Sequence, residues 1–107
     1  MSEAADEQPV TERPPAPPAT FEFLVLSFRT QAELHLGLLH FGEEGGQPEP
    51  DFEMARHMID MLAMLAEKTR GNLTMEEQRL VENSVTELRF RYIQALEAAQ
   101  KAQGHNA

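Results

Sequence analysis

A chain of 107 residues is too short for a large enzyme with a deep cleft, and a formal charge of −9 argues against general binding to nucleic acid or an anionic membrane, since both need a basic surface. The absence of cysteine removes disulfide frameworks, thiolate zinc sites and thiol redox chemistry, and it fits a reducing cytoplasm. No run of about 18 uncharged apolar residues occurs, and the acidic opening MSEAADEQPV lacks the basic-then-apolar order of a signal peptide, so a cytoplasmic protein with no membrane span is expected.

Residues 1–19 hold Pro9, Pro14, Pro15, Pro17 and Pro18 together with Glu3, Asp6, Glu7 and Glu12. This composition offers too little apolar surface to offset the entropy of ordering, so it predicts a disordered, acidic, Pro-rich tail. The Pro-x-x-P spacing in ERPPAPP suits an aromatic docking groove, but such runs are common in linkers, and the linker reading is preferred.

The segment FEFLVLSFRTQAELHLGLLHF opens with an apolar run that a buried strand also tolerates. Glu22, Arg29, Glu33 and His40 share one narrow stripe at about 100° per residue, with Phe21, Leu24, Val25, Phe28, Ala32, Leu36 and Leu39 away from it, which predicts a helix over about 21–41. Phe23, Leu34, Leu38 and Phe41 widen its apolar surface beyond one stripe. Such a helix needs neighbours on more than one side.

GEEGGQPEP reads as a loop, and Asp51 after it as the N-cap of a helix over about 52–70. Met54, Ala55, Met58, Ile59, Met61, Leu62, Leu65 and Ala66 form its apolar face, and Glu53, Arg56, His57, Asp60 and Glu67 its polar face. In EKTRGNLTMEEQ, Gly71 stands where a helix end needs a left-handed residue, while Lys68 and Arg70 suit the negative end of the helix dipole. Thr74 and Glu77 have the spacing of a capping box. The stretch is a helix stop followed directly by a helix start.

The third helix is expected over about 75–102. Val81, Val85, Leu88, Tyr92, Ala95 and Ala99 form a coiled-coil-like seam, with Phe90 and Ile93 on another side. Residues 103–107 have nothing to bury and should fray. The expected organisation is one helical domain, 20–102, behind the tail.

The run ARHMIDMLAMLAEKTRGNLTMEEQRLVENSVTELRFRYIQ, preceded by FLVLSF and LHLGLL, resembles a bacterial family of short helical proteins, domain of unknown function 1844. LAMLAEKTRGNLTMEE is the most specific part, and the resemblance spans roughly Phe21 to Gln94. It implies a small all-α cytoplasmic protein and carries no activity, ligand or catalytic residue onto these positions.

Glu53, His57 and Asp60 share a helix face, but the Glu-x-x-His pairs of di-metal bundles do not occur, so a solvated polar face is the better reading. Met54, Met58 and Met61 offer thioethers to a soft metal, yet interleaved with Ile59, Leu62 and Leu65 they read as core or partner surface. Lys68, Arg70 and the free N–H groups of the third helix suggest a phosphate site, which Glu76 and Glu77 oppose.

No nucleophile with its base and no Gly-rich phosphate loop appears, so neither an enzyme nor a cofactor or metal is expected. The expectation is an all-α three-helix unit, completed by self-association into a homodimer and acting as a protein–protein interaction module for a partner the sequence does not identify. The contact is expected at Leu24, Phe28, Leu34 and Leu38, with Phe90 and Ile93 contributing. A ligand- or metal-binding protein using the Met-rich face or the Lys68–Thr74 joint is the alternative.

Overall fold

The computed structural model describes residues 13–39 and 49–106, so His40, Phe41, most of the predicted loop, residues 1–12 of the tail and Ala107 lie outside the described residues. Among those described there are three helices and no strand: α1 Phe21–His35, α2 Phe52–Lys68 and α3 Met75–Asn106. Each helix packs on the other two.

Helix α1 starts where the Thr20 side chain accepts the Phe23 N–H at 3.0 Å, satisfying one of the donors a helix start leaves unpaired. Its end differs from the expected Phe41. The helix stops at His35, and Gly37 takes φ 78. The Gly37 N–H donates to the Leu34 carbonyl at 3.0 Å and the Leu38 N–H to the Glu33 carbonyl at 2.9 Å, the two bonds of a Schellman stop. A glycine inside an apolar run therefore ends the helix, although the apolar periodicity runs on past it.

The Asp51 N–H donates to the His35 carbonyl at 2.7 Å, so the end of α1 and the start of α2 are held together directly. Asp51 also caps α2, its Oδ1 accepting the Met54 N–H at 3.1 Å. After Lys68 the chain turns through a β-turn closed by the Asn72 N–H on the Thr69 carbonyl at 2.8 Å. Gly71 is its third residue, with the left-handed φ of 88 that type II turns need there. The glycine is left-handed as expected, but it serves the turn after the helix end.

Helix α3 continues to Asn106, past the expected Ala102. The alanines at 95, 98, 99 and 102 are the strongest helix formers and favour this continuation; Ala95, Ala98 and Ala99 still face Leu36, Leu38 and Pro50, while Lys101, Ala102 and Gln103 beyond them are exposed.

The core is one cluster drawn from all three helices: Val25 and Ala32, then Met58, Ile59 and Leu62, then Val81, Val85 and Leu88. Burying a side chain such as Leu62 or Leu88, both fully inaccessible, stabilises the fold by about 1.5–3 kcal/mol. Phe52 and Tyr92 meet edge to face at 5.8 Å, tying the start of α2 to the later half of α3.

Candidate functional site

Helix geometry explains which side chains the bundle leaves outside. Leu34 lies nine residues from the buried Val25, half a turn of phase away, and Phe23 falls close to the same direction. The result is an outward face on α1 where Phe23 is 41 % exposed, Leu26 44 % and Leu34 36 %, with Leu24 at its edge. Ser27, Thr30 and Gln31 stand among them, so this face carries no charge. At its N-terminal end Pro18, Ala19, Phe21, Phe23 and Leu24 line a shallow, mainly apolar groove.

On α3 the same geometry sets Phe90 opposite the buried Val81, and Ile93 beside it. They are the most exposed large apolar residues of that helix after Met75, at 62 % and 49 %. The six residues expected at an interface thus divide. Leu24, Leu34 and Leu38 are exposed on or just after α1, Phe90 and Ile93 on α3, while Phe28 is half-buried and packs against the core. The two exposed groups face away from one shared core and make two patches. Leu26, at the edge of the α1 face opposite Leu24, was not among the residues expected there; it lies about 100° around the helix from the buried Val25.

The charged stripe of α1 is not simply solvated. Arg29 is enclosed between α1 and α3, donating from Nε to Glu33 at 3.3 Å, from Nη2 to Glu87 at 2.6 Å and from Nη1 to the fully buried Ser84 hydroxyl at 3.5 Å. It joins two helices through three acceptors. Every fully buried polar side-chain atom among the described residues has a partner.

The joint residues come together as the capping box requires. The Glu77 N–H donates to Thr74 Oγ1 at 3.1 Å, and the Thr74 N–H donates to Glu77 Oε1 at 2.9 Å. Two of the backbone donors at this helix start are thereby occupied, with the Glu77 carboxylate held beside them, and Arg70 is turned to Glu67 at 2.7 Å. The arrangement suits a folding joint better than a phosphate site.

Neither metal reading gains a constellation. Glu53, His57 and Asp60 are exposed, Asp60 standing 3.9 Å from Arg56, and no group of three or more His, Asp or Glu among the described residues is placed to hold an ion. Met58 is buried in the core, whereas Met54, one turn before it on the same face of α2, is exposed, as expected of a core face that reaches the surface at its start. Among the described residues no helix is long and apolar enough to cross a membrane.

No curated protein and no solved structure matches the chain. The family model described as Domain of unknown function (DUF1844) matches residues 18–94, which takes in α1, α2, the joint and α3 through its apolar outward pair, and the chain belongs to that family.

Proposed function

We propose that the chain is a self-associating helical module whose role is to bind protein, first a second copy of itself. The observation that carries this reading is the uncharged outward face of α1, where Phe23, Leu24, Leu26 and Leu34 are exposed with no charged side chain between them. An exposed face of apolar side chains without charge marks an interaction surface, and closed two-fold pairing is the commonest way for identical chains to cover one. The net charge of −9 favours a basic protein as any further partner over nucleic acid or an anionic membrane.

Light scattering on a sizing column tests the reading. A mass of two or more chains at tens of micromolar supports it, and Leu34→Glu or Phe23→Glu should then move the mass towards that of a single chain. A single-chain mass for the parent protein rejects it.

A further inference from the structure

The outward ridge of α3 has a pattern of its own. Glu82, Thr86, Phe90, Ile93, Glu97 and Lys101 are all exposed and fall on one side of the helix, spaced by four, four, three, four and four residues. That spacing reads the same in both directions. A row with this property can lie against a copy of itself running the opposite way with every member meeting a member of the row, so that each contact is repeated by the two-fold.

The side chains decide between the two possible directions. In a parallel, in-register pair, Glu82 meets Glu82, Glu97 meets Glu97 and Lys101 meets Lys101, three like-charge contacts. In the antiparallel pair centred between Phe90 and Ile93, Phe90 of each copy meets Ile93 of the other at the centre. Thr86 meets Glu97 on either side, a hydroxyl facing a carboxylate, and Glu82 meets Lys101 at the two ends. Like charges juxtaposed across an interface select against a pairing, and opposite charges fix its register.

The end groups are open to such a contact. Among the described residues Glu82, Glu97 and Lys101 form no ion pair within the chain, and the bond made by Glu82 is an accepted one, from the Gln78 amide at 3.0 Å. Lys101 then lies between its own Glu97, one turn back, and Glu82 of the second copy.

We infer that the outward ridge of α3 is a two-fold contact with a second copy of this chain, antiparallel, with Phe90 set against Ile93 and Glu82 against Lys101. The inference rests on the self-association proposed above and adds a second face to it, with a stated direction and register.

Charge exchange in the full chain, read by sedimentation equilibrium, is the test. Glu82→Lys alone and Lys101→Glu alone should each weaken association by about tenfold, and the double variant should recover most of the loss. The two positions lie about 28 Å apart along one helix, so recovery cannot come from within a chain. A parallel pair gives no recovery, because both exchanged sites still face their own kind. As a second measurement, Glu82→Cys and Lys101→Cys chains, in a protein with no cysteine of its own, should join through a short bismaleimide when mixed and not when kept apart.

A parent protein that is a single chain overturns both this contact and the self-association beneath it. A parent that associates, but ignores both charge reversals and gives no mixed cross-link, overturns the α3 contact and leaves the α1 face in place.

Discussion

The Arg29 guanidinium reaches across from α1 to the Glu87 carboxylate of α3 at 2.6 Å, between residues 58 positions apart in the chain. The contact begins in a half-buried site, with the Arg29 side chain 24 % exposed, and ends at one that is half open to water, with Glu87 at 51 %. Screening on the Glu87 side limits its worth. A double-mutant cycle with Arg29→Ala and Glu87→Ala should give a coupling of about 0.5–1 kcal/mol. Arg29→Ala by itself should cost about 1–2 kcal/mol, because it also removes packing and the donor to buried Ser84. Additive single effects in urea melts would remove the ion pair from the list of contacts that hold α1 to α3.

Gly37 and Gly71 both take left-handed φ values, and both should resist replacement for the same reason. A Cβ at Gly71 would meet nothing within 4 Å, so strain in the backbone is the whole effect there. Gly71→Ala should cost about 1 kcal/mol. Gly37→Ala should cost about 1–2 kcal/mol, since its turn is buried against neighbouring residues. Urea midpoints unchanged from the parent would contradict the two φ values.

The capping box makes a prediction with a specific asymmetry. Thr74→Ala removes the acceptor for the Glu77 N–H and should destabilise by about 1 kcal/mol. Glu77→Gln keeps an oxygen for the Thr74 N–H and should cost less than Thr74→Ala, while Glu77→Ala loses that partner altogether. Thermal melts in which the three variants fall together would mean that the reciprocal bonds do not set the start of α3.

Shortening the chain to begin at Ala19 should leave helicity and melting midpoint unchanged. The removed residues are acidic and rich in proline, with little to bury, and the Thr20 cap of α1 is kept. A fall in the midpoint of several degrees would show that the tail packs on the helices.

What the sequence made legible was local. Asp51, Thr74 and Glu77 each work over three residues, so their side-chain chemistry and spacing state their role without any knowledge of the fold. Gly37 carried the same signal as Gly71, but Leu36, Leu38 and Leu39 continue the apolar rhythm around it, and periodicity masked the stop. The place of Arg29 was not legible either. A charge on a narrow stripe reads as solvated until α3 brings Ser84 and Glu87 beside it. The apolar surplus of α1 was visible as a quantity. Which residues it leaves outside depends on their angle to Val25: Leu34 and Phe23 lie about half a turn away and Leu26 about 100° to one side, all exposed, while Phe28, about 60° away, turned inward.

The bond between the Asp51 N–H and the His35 carbonyl works as a clasp at the base of the connection between α1 and α2. Both helix ends are also closed by their own residues, Gly37 on one side and the Asp51 carboxylate on the other, so the connecting chain is not needed to hold them in register. Length in that connection is then a free variable of the architecture. Doubling it should cost about 0.6 kcal/mol of closure entropy, and a Gly/Ser insertion after Gly45 should leave the melting midpoint within a few degrees of the parent. The same site is a place to splice in a tag or a second folded domain without touching either proposed contact face, and a large loss of helicity on insertion would show that the clasp does not hold alone.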